Sequence, residues 1–108
     1  MRIDILTVVP ELLESPLNHS IVQRAKNKGL VEIHIHDIRE YGKGNYHQVD
    51  DYNYGGDAGM VLMIEPIHTL ITKLQGERKY DEIIYMSPDG KTLDQPIANR
   101  LSCLENII

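Results

Sequence analysis

The amino-acid sequence predicts an α/β fold: a parallel sheet flanked by helices. Three observations carry the prediction. Short strand-like apolar runs recur at residues 3–8, 30–38 and 82–86, stretches with helical spacing lie between and after them, and proline, glycine or aspartate marks most of the junctions.

Each element has its own signal. Ile3, Ile5, Thr7 and Val8 form the first strand, and Pro10 followed by Glu11, Leu12 and Leu13 predicts a helix entered through proline, whose fixed φ suits a first turn. Pro16 and Asn18 break that spacing. The helix therefore restarts near Asn18 or His19, carries Ile21, Val22 and Ala25 on one face, and closes at Gly29. In residues 30–38, Val31, Ile33 and Ile35 alternate with Glu32, His34 and His36, the period of a half-buried strand. Residues 60–64 are an unbroken apolar run. Glu65-Pro66 then opens a helix with Ile67, Leu70, Ile71 and Leu74 at helical spacing, and Gly76 ends it. Residues 82–86 read as a third strand, Pro88-Asp89-Gly90 as a turn, and Asp94 as the cap of a helix through Pro96, Ile97 and Leu101. Leu104, Asn106, Ile107 and Ile108 begin one more strand. An apolar, unpaired edge is a poor place for a domain to stop, so residues 1–108 are expected to be part of one domain and a fragment of a longer chain.

Composition narrows the class of function. The 108 residues are 42% hydrophobic and 25% charged, ordinary globular values with no internal repeat. A formal net charge of -5 argues mildly against a generic nucleic-acid coat, although Arg24, Lys26, Lys28, Arg39 and Lys43 gather ahead of residue 49. A solvated helix face explains most of these equally well. The single cysteine, Cys103, cannot form an internal disulfide, which suits a reduced, cytoplasmic setting; among Leu101, Leu104 and Ile107 it reads as a core residue. The first residues mix charge into an apolar run and lead to Pro10, a pattern of neither a signal peptide nor a membrane span.

The densest signal lies in residues 49–60. Asp50 and Asp51 stand just ahead of Gly55, Gly56 and Gly59, where the backbone needs positive φ or a ligand comes closer than a Cβ permits. Residues 41–59 look irregular, and a connection of that length in a compact domain is a binding loop or a mobile excursion with turn glycines. Disorder is expected over residues 42–58 without a ligand, since few apolar anchors are visible there.

Taken together, Val49-Asp50-Asp51, the Tyr54-Gly55-Gly56-Asp57-Ala58-Gly59-Met60 run, Tyr85-Met86-Ser87-Pro88-Asp89-Gly90 and Leu93-Asp94-Gln95 make the chain resemble bacterial tRNA (guanine-N1)-methyltransferases over essentially its whole length. The resemblance implies the N-terminal part of a SPOUT-type, trefoil-knot domain that works as a homodimer. It also implies methyl transfer from S-adenosylmethionine to N1 of the guanosine immediately 3′ of the anticodon in tRNA. By the same likeness Tyr85, Met86, Ser87 and Pro88 line the adenosine pocket, and Asp50, Ala58 and Gly59 approach the target guanine. A carboxylate can accept from guanine N1–H and the exocyclic amine, and a backbone without Cβ admits a flipped base. No catalytic residue is expected within these 108 residues: the general base and the remaining cofactor loops belong to the second half in this family, and this chain alone should be inactive. Two departures stand out. Asp57 occupies a position where many members have a third glycine, and Tyr46, His47 and Gln48 stand where they carry basic residues.

Other readings rest on residue types alone. His34 and His36 share a strand face and could bind zinc with His19 or His47, though no third ligand is evident. Asp50, Asp51 and Asp57 supply oxygens of the kind magnesium takes, so magnesium is a candidate cofactor. A phosphate cradle is a poor reading, because the Walker lysine and the serine or threonine are missing. The main alternative to an enzyme is a non-enzymatic RNA- or nucleotide-binding module on the same half-fold.

Overall fold

The computed structural model describes residues 1–52 and 60–108. Strand β1 (Arg2–Thr7) leads into helices α1 (Glu11–Leu17) and α2 (Ser20–Asn27), strand β2 (Glu32–Asp37) and a 3-10 turn at Ile38–Tyr41. A two-stranded unit follows, β3 (Asp50–Tyr52) and β4 (Met60–Leu62), then α3 (Ile64–Glu77), α4 (Gln95–Ser102) and β5 (Asn106–Ile107). The main sheet has the order β2-β1-β5 with both pairings parallel, and β3 pairs antiparallel with β4. Parallel pairing requires a crossover, which α1 and α2 supply between β1 and β2. The predicted α/β class and parallel sheet are therefore present.

Several local signals act as read. The α1–α2 break falls at Asn18 and His19, as Pro16 and Asn18 predict. Gly29 has φ 70° and the Leu30 N–H donates to Ala25 O at 3.0 Å, the left-handed turn with which helices commonly close. Asp94 caps α4 by accepting from the Ile97 N–H at 3.0 Å.

Four expectations are corrected. Gly76 does not end α3, which runs to Glu77; without a proline or a left-handed turn the helix simply passes through it. Residues 82–86 do not form the expected strand: Glu82 makes an isolated parallel bridge to Ile107, with Ile108 N–H donating to Glu82 O at 3.1 Å and Ile84 N–H to Ile108 O at 2.7 Å. Ile21 is 75% exposed, leaving Val22 and Ala25 as the inward residues of α2. Cys103 is exposed. It lies two residues beyond Leu101, about 200° around a helix, so the same turn that carries Leu101 inward carries Cys103 out.

The main hydrophobic cluster joins Ile38, Val49, Leu70 and Leu74, with Leu6, Val8, Tyr41, Ile67, Tyr80 and Ile108 packed against it. Burial of a side chain such as Leu70 contributes roughly 2 kcal/mol. Beside this cluster lies a buried carboxylate that no hydrophobic pattern announces. Asp4 accepts from Arg2 Nε at 2.9 Å and Nη2 at 3.0 Å, from His36 Nε2 at 2.7 Å and from Tyr80 Oη at 2.7 Å. Burial would raise the Asp4 pKa, but the hydrogen bonds from Arg2, Tyr80 and His36 outweigh it and hold the group at about 2. The polar face of β2 is thus partly closed over by a charged network rather than turned wholly to solvent.

Candidate functional site

The segment after the Glu82–Ile107 bridge builds a cleft. Ile84 donates the last ladder bond, and the chain then turns at Ser87: the Asp89 N–H donates to Ser87 Oγ at 3.2 Å and the Gly90 N–H to Ser87 O at 3.2 Å. Helix α4, fixed by its Asp94 cap, forms the opposite wall. Between them lies a cavity of about 540 Å³, lined by Tyr85, Met86, Ser87 and Pro88 and, from the far side, by Leu93, Ile97 and Leu101. That volume suits a nucleoside-sized ligand.

The walls are unusually apolar for a surface feature. Tyr85 is 86% exposed, Met86 78% and Leu93 63%, so large hydrophobic groups stand uncovered around one cleft. Arg100 ties the walls together by donating to Glu82 at 2.7 and 3.3 Å. The hydrogen bond to Glu82 raises the Arg100 pKa further above its already basic value. Such walls offer apolar surface to a ligand, with Glu82 and Arg100 among the polar side chains of the lining.

Asp50 is positioned by a different device. Val49, only 1% exposed, is anchored in the main cluster, and its carbonyl accepts from the Met63 N–H at 2.6 Å. Asp50 follows as the first residue of β3, paired with Leu62. Ahead of it, Lys43 and Gln48 exchange two backbone hydrogen bonds of 2.9 and 3.0 Å, closing a tight turn in which Gly44 and His47 have φ 69° and 52°. Gly42 packs so closely on this turn that a Cβ there would overlap the His47 backbone. Lys43 and Gln48 thus close a turn, and residues 50–52 pair with β4; residues 53–58, the rest of the stretch for which disorder is expected, lie outside the described residues. Ala58, Gly59 and Asp57 lie outside the described residues.

The structure brings Tyr85, Met86, Ser87 and Pro88 into one cleft and leaves Asp50 out of its lining. It also shows residues that sequence reasoning missed, Glu82 and Arg100 across the cleft and a second groove of about 350 Å³ lined by Asp37, Arg39, Glu40, Tyr46 and His47. The Asp94 cap could have flagged Arg100, since it fixes which face of α4 looks back at the strand. Among the described residues no three His, Cys, Asp or Glu side chains group as metal ligands, and His36 is committed to Asp4 rather than to zinc. Nor is any helix among them long and apolar enough to cross a membrane.

Comparison with known proteins gives one consistent result. Residues 1–108 match the family described as tRNA (guanine-1)-methyltransferase TrmD. The chain is 62% identical over its full length to a tRNA (guanine-N(1)-)-methyltransferase of Christiangramia forsetii and 61% identical to that of Flavobacterium johnsoniae, covering 48% of each. A crystal structure of the tRNA (m1G37) methyltransferase from Aquifex aeolicus superposes with a TM-score of 0.87 at 36% identity, covering 99% of this chain and 48% of that one. The chain thus spans about half the length of the relatives it matches. Over all of its residues, this chain belongs to the tRNA (guanine-1)-methyltransferase TrmD family.

Proposed function

We propose that residues 1–108 are the N-terminal portion of a SPOUT-type enzyme that methylates N1 of the guanosine immediately 3′ of the anticodon in tRNA. The observation that carries this is the apolar cleft of about 540 Å³ built by Tyr85, Met86, Ser87, Pro88 and α4 in a chain of this family. S-adenosylmethionine is the donor it fits: bound there, it supplies an electrophilic methyl group on a sulfonium. Tyr85, Met86, Leu93 and Pro88 hold the adenine against apolar surface, and the turn at Ser87 offers backbone polar atoms to orient it.

Asp50 serves the other substrate. Its carboxylate accepts from guanine N1–H and the exocyclic amine, and Val49 fixes it at the start of β3. Ala58 and Gly59 complete the contact with the extruded base. N1 must lose its proton as the methyl arrives, so the enzyme needs a positioned base. That base lies in the remaining half of the protein, along with the knot and the other cofactor loops. The whole protein acts as a cytoplasmic homodimer. Magnesium would act as an accessory ion near the Asp50 and Asp51 pair.

Methylation of N1 blocks the Watson–Crick edge of guanine. Primer extension along tRNA incubated with the full gene product and S-adenosylmethionine should therefore halt at that guanosine; read-through there, or a halt elsewhere, would overturn the assignment.

A further inference from the structure

The turn that precedes Asp50 holds an aromatic ring almost wholly in solvent. Tyr46 is 95% exposed, although its backbone sits in one of the more constrained parts of the fold. The Lys43–Gln48 bridge closes the turn, Gly42 is packed on His47, and Lys43 Nζ donates to Glu65 Oε1 at 3.3 Å, tying the turn to the start of α3. An exposed ring on a fixed support gives up apolar area that the fold makes no use of.

Tyr46 borders the groove of about 350 Å³ that Asp37, Arg39, Glu40 and His47 also line. That groove is also built. The Asp37 carboxylate accepts from the Arg39 N–H at 2.9 Å, and Arg39 Nε donates to Val8 O at 3.2 Å, which fixes the guanidinium stem against the end of β1. Its charges are mixed. Two carboxylates make it a poor seat for a phosphate, yet they can accept from the amino and imino groups of a base edge, and the Tyr46 ring offers a stacking face. An unpaired nucleobase meets these demands.

We infer that Tyr46 is a stacking platform for an unpaired nucleotide of the substrate tRNA next to the guanosine that Asp50 contacts. This rests on the tRNA-methylating reading above. Tyr46 lies four positions before Asp50, so their Cα atoms are at most about 14 Å apart, within range of an adjoining nucleotide in an opened loop. Tyr46 is thereby a positioning residue: it sets where the RNA lies and takes no part in the chemistry. Stacking is indifferent to the phenol oxygen and nearly indifferent to salt, unlike a phosphate contact.

The test uses the full gene product and unmodified tRNA in which 2-aminopurine replaces, one at a time, the nucleotides flanking the target guanosine. With wild-type protein, stacking on Tyr46 should quench one of these probes. Tyr46→Ala should abolish that quench and raise the KM for tRNA on the order of ten-fold, equally at low and high salt, with kcat at saturating tRNA little changed. Tyr46→Phe should behave as wild type. An unchanged KM and quench in Tyr46→Ala, with wild-type methylation intact, would overturn this inference alone. Loss of affinity in Tyr46→Phe, or a loss that vanishes at high salt, would overturn it in favour of a hydrogen bond or a phosphate contact. Absence of methylation by the wild-type protein would instead overturn the reading on which the inference rests.

Discussion

Tyr80 Oη donates to Asp4 Oδ2 at 2.7 Å across 76 residues of sequence, linking the segment after α3 to the middle of β1. Asp4 sits at 1% exposure with three residues donating to it, and Arg78 Nη1 in turn donates to Tyr80 Oη at 2.9 Å. The network binds β1, β2 and the approach to the Tyr85–Pro88 cleft into one unit.

Asp4→Asn leaves Arg2, His36 and Tyr80 facing an amide in place of a carboxylate. The expected cost is about 2 to 4 kcal/mol, read as a fall in the urea midpoint at unchanged slope. Tyr80→Phe removes one donor to Asp4 together with the acceptor of Arg78, and should cost about 1 to 2 kcal/mol.

The same carboxylate gives stability a specific pH dependence. Its pKa falls from 3.8 unfolded to about 2 folded, so its contribution is fully present above the unfolded value and is lost as pH drops toward 2. The shift corresponds to roughly 2 kcal/mol. Unfolding free energies of wild type and Asp4→Asn measured against pH should differ by a constant amount above about pH 5 and converge below the unfolded carboxylate range. A difference that persisted unchanged to pH 2 would contradict this.

Two glycines should respond in opposite directions to alanine. At Gly42 the new methyl overlaps the His47 backbone, so the turn must shift, at a cost of about 1 to 3 kcal/mol. Gly76 lies inside α3 with nothing within 4 Å of a built Cβ, and alanine there should stabilise by roughly 0.5 to 1 kcal/mol. Thermal unfolding of the two variants side by side checks both signs.

Arg100→Ala separates the role of the Glu82–Arg100 link in the cleft from its role in the fold. The pair is solvent-screened, so the thermal midpoint should stay close to that of wild type. Calorimetric titration of the full protein with S-adenosylmethionine should show a several-fold weaker affinity, because α4 is no longer held against the strand. Unaltered affinity would remove the link from the site.

How much of this was legible in the sequence depended on the range of the interaction involved. Gly29, Asp94 and Asn18 act within a few residues, and each marks a helix boundary where it is found, while Pro16 lies inside α1. The segment from Tyr85 to Pro88 was also identifiable, and it lines the cleft. Asp4 was readable only as a charge inside an apolar run, since its partners His36 and Tyr80 are 32 and 76 residues away. The anchor of the turn ahead of Asp50 was not legible, because Val49 is one side chain whose burial depends on Ile38, Leu70 and Leu74. The outward turn of Cys103 followed from the phase of α4, which an apolar neighbourhood in sequence does not reveal.

The central claim is tested most directly by transfer of labelled methyl from S-adenosylmethionine to unmodified tRNA carrying guanosine after the anticodon. The full gene product is assayed beside its Asp50→Ala variant and the 108-residue chain. Label on that guanosine with the full product, a strong loss in Asp50→Ala and none with residues 1–108 is the expected result. No label from the full product would contradict the assignment, and label from the 108-residue chain would contradict the placement of the general base in the other half.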